Sequence, residues 1–181
     1  HLPEPRRQFE TFLKVIAGNS AQVLNKASVA NRVGVSEPTV QRWLSVLESS
    51  GIVALLPPYY RNYTKRLLKS PKIVLLDSGL LCYLLGIHTP EVLQSHPLYG
   101  AVFESFVTAE VAKRIAHTAS RANLYYWRDK TGHEVDLLVE DGTKVLPIEI
   151  KVSATYHPDF TKQLSWWLDL PENDASEGLV V

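Results

Sequence analysis

The sequence predicts a mixed α/β chain in two parts, and three observations carry that expectation. Helical periodicity fills the first fifty residues, short β-like runs separated by turns dominate residues 123–152, and the charge is divided between the halves. Residues 1–97 hold 11 Lys+Arg against 6 Asp+Glu, giving +5, whereas residues 98–181 hold 8 against 13, giving −5, within a neutral whole. Opposite signs predict two parts with different partners. The basic part suits nucleic acid, because neutralising phosphates releases counterions.

The elements follow in order. Phe9, Phe12, Leu13 and Ile16 recur at helical spacing and predict a helix over Gln8 to Ile16, and Ala27, Ala30 and Val33 predict a second that Gly34 breaks. Ser36 is an N-cap with Pro38 in the first turn, and Val40, Trp43, Leu44 and Leu47 form an apolar stripe ending before Gly51. Ile52 to Leu56, closed by Pro57 and Pro58, and Lys72 to Leu76 are strand candidates. Three helices followed by strands is the order of a winged helix-turn-helix, expected over residues 1–90 with a further helix at Gly79 to Leu85. The connection Ile87 to Pro97 marks the boundary, and the second domain is expected over residues 91–181. It opens on a long helix from Ala101 to Ile115 and continues with strands at Leu124–Trp127, Glu134–Glu140 and Leu146–Val152, a helix at Lys162–Leu170 and a short run at Leu179.

Several classes are excluded or disfavoured. The longest apolar stretch, Ile73 to Ile87, is broken by Asp77 and Ser78 and falls short of the ~20 residues of a membrane-spanning helix. Cys82 is the one cysteine, so no intrachain disulfide can form, and a reducing cytoplasmic location is expected. Neither terminus has the character of a natural end, so the chain is expected to be cut from a longer protein, with the second domain truncated at its C-terminus.

The chemistry concentrates in one hairpin. Asp141-Gly142-Thr143-Lys144 suits a two-residue type II′ turn with Gly first, which pairs Asp141 with Lys144. The same register sets Asp136 opposite Glu149 and Glu134 opposite Lys151, and puts Pro147 at a pair that needs no N–H. Period-two geometry sends Val135, Leu137, Ile148 and Ile150 to a core face and Glu134, Asp136, Glu149 and Lys151 to an ionisable face. Facing carboxylates repel, so the pair calls for a lysine or a hard divalent cation such as Mg²⁺.

Asp136, followed after twelve residues by Glu149-Ile150-Lys151, resembles the PD-(D/E)XK nuclease signature, with Val135 where the signature's name has Pro. The resemblance implies a restriction-endonuclease-like mixed sheet flanked by helices. It also implies that Asp136 and Glu149 hold Mg²⁺, that Lys151 assists the attacking water or the transition-state charge, and that Glu104 on the preceding helix completes the site. Glu104 flanks the apolar stripe Phe103, Phe106, Val107, Val111 and Ile115; Glu110 lies within it, and only the resemblance selects between the two. Gln163, four residues before Trp167, faintly resembles a further motif of some members.

Nearly the whole chain, through Leu56-Pro57-Pro58-Tyr59, Asp77-Ser78-Gly79-Leu80, Tyr126-Trp127-Arg128, Glu134-Val135-Asp136 and Ile148-Glu149-Ile150-Lys151, resembles the C-terminal region of prokaryotic AAA+-type ATPases of unknown function. In those proteins an ATPase module precedes this region. No G-x-x-x-x-G-K-[ST] occurs here, so no ATP site of that kind is expected.

In the third helix Glu37, Thr39, Gln41, Arg42 and Ser45 point away from the stripe, as recognition residues do. Arg61, Lys65, Arg66, Lys69 and Lys72 form an acid-free stretch suited to phosphate contacts. DNA is the expected partner, with RNA second, together with an upstream ATPase module and no membrane. Two functions are consistent with these features: a metal-dependent nuclease, or a non-catalytic nucleic-acid-binding or docking tail of the ATPase.

Overall fold

The computed structural model describes residues 4–60, 69–153, 155, 157–170, 175 and 177–181. The elements run α1 (Glu4–Ala17), β1 (Gln22–Val23), α2 (Lys26–Val33), α3 (Glu37–Ser49), β2 (Val53–Leu56), β3 (Lys72–Leu75), α4 (Ser78–Leu85), α5 (Pro90–Ser95) and α6 (Tyr99–His117). Then come β4 (Asn123–Arg128), β5 (Glu134–Asp141), β6 (Lys144–Glu149), a 3-10 turn (Pro158–Thr161), α7 (Lys162–Leu168) and β7 (Leu179–Val180). The chain is mixed α/β and divides into two compact units: residues 1–55 with 70–106, and residues 56–69 with 107–181.

In the first unit the helix ends are set by local chemistry. Ser36 Oγ accepts the Thr39 amide and starts α3, and Asn25 does the same for α2 through the Ser28 amide. Asp77 is the N-cap of α4, accepting the Leu80 amide at 2.9 Å, and a Cβ on Gly79 would stand 3.1 Å from that carboxylate. The Asp77-Ser78-Gly79-Leu80 motif is thus explained as a helix start. Val40, Leu44 and Leu47 of α3 are buried with Phe12 and Ile16, as the stripe predicts, and Trp43 packs edge-on against Phe9 at 5.3 Å. A three-stranded sheet in the order β1-β3-β2 completes the unit, with β1 antiparallel to β3.

Two features differ from expectation here. The two-residue β1 is too short for any periodicity to register, and α5 lies inside the stretch read as a connection. Pro90 sits in the first turn of α5 after the cap Thr89, so the proline marks a helix start inside that connection.

Lys72 corrects the expectation of a phosphate-binding group. It is 1% exposed on β3, and its Nζ lies 2.7 Å from Glu104 Oε1 on α6. Beside this pair, Ser20 Oγ is 2.8 Å from Ser105 Oγ and accepts the Leu75 amide. Arg61, Lys65 and Arg66 lie outside the described residues; Lys69 is exposed.

The second unit is built on a four-stranded sheet in the order β4-β5-β6-β7, antiparallel except for the parallel β6/β7 pair. The segment after β2 joins it, since Pro58 bridges Tyr126 in parallel and the Tyr59 amide reaches the Tyr126 carbonyl at 2.6 Å. Helix α7 places Leu164 and Trp167 against Tyr125, Val135 and Leu138. Phe106 breaks the predicted α6 stripe, being 44% exposed.

Candidate functional site

The β5/β6 hairpin forms in the expected register. Asp141 pairs Lys144, Glu140 pairs Val145, Leu138 pairs Pro147 and Leu137 pairs Ile148. Gly142 has φ 62°, and Thr143 is not among the residues of positive φ, which agrees with a type II′ turn and not with type I′. The paired ladder ends at Leu137 and Ile148, one residue short of Asp136 and Glu149.

At that point the ladder changes. The Ile150 amide, whose partner on β5 would be a carbonyl, donates instead to Asp136 Oδ2 at 2.8 Å. On the other edge Val181 takes over: its amide donates to the Glu149 carbonyl and its carbonyl accepts the Lys151 amide, both at 2.9 Å. The Glu149-Ile150-Lys151 backbone is thereby held between a side chain and a terminal strand. The β4/β5 register shifts at the same place: between the Tyr125/Leu138 and Trp127/Val135 pairs β5 carries one extra residue, so Asp136 and Leu137 together stand opposite Tyr126.

The expectation of one core face and one ionisable face is too simple. Leu138, whose partner Pro147 shares its side of β6 with Glu149, is 0% exposed, and Glu149 is 2% exposed. The sheet is covered on both faces, so Glu149 is a buried carboxyl. Lys151 Nζ lies 2.5 Å from Glu149 Oε1, while Glu149 Oε2 is buried with no hydrogen-bond partner. Burial first, and then the Asp136 charge, push the Glu149 carboxyl up to about 7 against the pull of Lys151. Glu134 adds to the rise. It is half-buried, with Arg128 Nη1 at 3.8 Å.

Glu104 belongs to the first unit, where its carboxylate is engaged by Lys72. Glu110 is exposed and paired with Lys113. Among the described residues no group of three or more His, Cys, Asp or Glu side chains is gathered as for a metal ion. Within the second unit Asp136 and Glu149 stand with Lys151. Gln163 does carry a buried Oε1 without a hydrogen-bond partner.

Of the predicted recognition residues, Gln41, Arg42 and Ser45 are exposed on α3, and Thr39 lies between Ser36 Oγ at 3.0 Å and Arg42 Nη2 at 3.3 Å. Sequence reasoning missed a second polar cluster at Asp129, His133 and Trp166. The run Asp129-Lys130-Thr131-Gly132-His133 held the signal for it, since Asp followed by Thr and Gly marks a turn closed on the Asp side chain.

No solved structure matches this chain, and no helix among the described residues is long and apolar enough to cross a membrane. An uncharacterized protein of Mycobacterium tuberculosis is 36% identical over 141 residues, 78% of this chain and 31% of the relative. An uncharacterized protein of Mycobacterium bovis matches with the same identity and coverage. The chain thus spans about a third of the length of these curated relatives. It consists of two successive regions similar to domains of unknown function, with residues 2–91 matching DUF8612 and residues 99–181 matching DUF4143.

Proposed function

We propose that the second unit is a metal-dependent phosphodiesterase of the PD-(D/E)XK kind acting on nucleic acid, carried by the C-terminal region of an AAA+-type ATPase. The observation that supports it best is the buried Glu149 Oε2, without a hydrogen-bond partner, on a carboxyl that feels the Asp136 charge. Two hard oxygen donors fit Mg²⁺, which often takes only one or two carboxylates from a protein. When bound, such an ion polarises a phosphate and stabilises its developing charge.

The chain's own residues have separate tasks in this reading. Asp136 and Glu149 are the ligands, and Asp136 also fixes the Ile150 amide. Lys151 presents fixed positive charge next to Glu149, where it orients the attacking water or stabilises negative charge. The first unit supplies the grip on nucleic acid: its order of three helices and strands supports a winged-helix reading, with Arg42 and Gln41 exposed on α3. Plasmid and branched DNA incubated with Mg²⁺ or Mn²⁺ test the activity. Cleavage that Asp136→Ala abolishes is the expected result, and no divalent-dependent cleavage of any DNA or RNA form overturns it.

A second reading, a non-catalytic nucleic-acid-binding tail of the same ATPase, is favoured by one specific observation. Lys151 already sits on Glu149 Oε1, so the repulsion between the carboxylates is partly relieved without a metal ion. That reading expects nucleic-acid binding by the first unit and no effect of Mg²⁺ on the stability of the second.

A further inference from the structure

The β4–β5 connection carries an aromatic stack that the carboxylate site does not use. Asp129 Oδ1 accepts the amides of Thr131, Gly132 and His133 at 2.7 to 2.9 Å. Its Oδ2 meets Thr131 Oγ1 and His133 Nδ1, the latter at 3.0 Å. Burial works to raise this carboxyl, but the hydrogen bonds from Thr131 and His133 outweigh it and hold it well below the usual range. The aspartate charge is spent inside the turn. The ring of His133 lies on Trp166 at 3.9 Å between centroids and 4° between planes, and Trp127 meets Trp166 at 5.4 Å.

One edge of the His133 ring is held by Asp129 and Thr131 and one face by Trp166, yet the side chain is 35% exposed. The opposite face and the Nε2 edge are the parts of the ring that these contacts do not engage. Arg128 and Lys130, on either side of Asp129 in the chain, are exposed. A fixed aromatic face with cations beside it is the arrangement on which single-stranded nucleic acids stack their bases.

We propose that the open face of His133, backed by Trp166, binds one base of a single strand, with Arg128 and Lys130 on its phosphates. His133 precedes Asp136 by three residues, about 10 Å along the chain at ~3.3 Å per residue. This inference rests on the nucleic-acid reading above but not on cleavage.

The test uses the intact chain in EDTA, with fluorescence anisotropy of labelled oligothymidine and of an abasic strand of equal length. Wild type should bind the base-bearing strand about tenfold more tightly, the range expected for one stacked base. His133→Phe, which keeps the ring, should preserve that preference, and His133→Asn, which keeps a polar group without the ring, should abolish it. In wild type the His133 ring protons should also move upfield in NMR on adding oligothymidine, a reading that does not depend on a variant folding. Equal binding of both strands by wild type, an unchanged preference in folded His133→Asn, or unmoved His133 resonances would overturn the proposal. A preserved preference in a protein that never cuts DNA supports the stacking site and sinks only the nuclease reading.

Discussion

The Asp136 carboxylate occupies the Ile150 amide at 2.8 Å, where regular pairing would have used a β5 carbonyl. One side chain thus ends the β5/β6 ladder, holds the strand that bears Glu149 and Lys151, and contributes charge to the pair.

These roles separate by substitution. Asp136→Asn keeps an acceptor for the Ile150 amide, so unfolding stability should change little while divalent affinity is lost. Asp136→Ala strands a buried N–H and should cost a further ~1–3 kcal/mol. Calorimetric titration with Mn²⁺ and urea unfolding of both variants check this. Equal destabilisation by Asn and Ala would remove the structural role assigned to Asp136.

Glu149 predicts a pH dependence of unusual sign for a carboxylate. Its folded value is raised to about 7 from 4.5. Below the lower value both states are protonated, and between the two the folded state holds the proton that the unfolded chain has released. Without divalent ions, stability should therefore fall as pH rises from 4.5 to about 7, by roughly 3 kcal/mol, and level off above. Glu149→Gln should remove this component from denaturant unfolding curves recorded in EDTA. A Glu149→Gln variant with the wild-type slope would refute the assignment.

The hairpin was legible in the sequence because Gly142 fixes the turn and the turn fixes every pair after it. The positions of Asp136 and Glu149 on facing strands followed from that alone. Burial of Glu149 was not legible, since strand alternation cannot tell a charged face in water from one covered by other elements. Lys72 failed for a related reason: an acid-free run near it looked solvated, while its partner Glu104 lay thirty-two residues away. Asp77 and Ser36, by contrast, act within three residues, and local caps are where sequence reasoning works best.

The Lys72–Glu104 pair makes a prediction opposite to a phosphate-binding role. Lys72→Ala should destabilise the protein by about 3–5 kcal/mol, because it leaves a largely buried carboxylate without its partner. Lys72→Met with Glu104→Leu should recover much of that loss. Thermal unfolding of the single and double variants measures it, and a Lys72→Ala protein of wild-type stability would contradict the burial of the pair.

The predicted nucleic-acid contacts are tested by salt. Replacing Arg42, Lys65, Arg66 and Lys69 with Ala should weaken DNA binding at low salt and flatten the plot of log affinity against log salt by about 1 for each phosphate that the protein no longer neutralises. Anisotropy at several salt concentrations gives both quantities. A slope unchanged by all four replacements points to a docking surface in place of a nucleic-acid interface.

Lys151 separates the nuclease from the regulatory tail. Its Nζ sits on Glu149 Oε1, so in Lys151→Ala the carboxyl loses a hydrogen bond and a compensating charge, and its value should rise further in the absence of metal. A divalent ion then has to displace a proton but no longer competes with an ammonium. At a pH well above that value, Lys151→Ala should bind Mn²⁺ at least as tightly as wild type, with the same or a larger rise in unfolding temperature. Cleavage should nonetheless fall by roughly a hundredfold, the scale on which one fixed group stabilising transition-state charge is felt. Asp136→Ala and Glu149→Ala should lose both the thermal shift and the cleavage. Cleavage by Lys151→Ala equal to wild type would expose a contaminating nuclease, and a wild-type protein with neither a thermal shift nor cleavage would leave Lys151 as the pair's permanent counterion and the region as a binding tail.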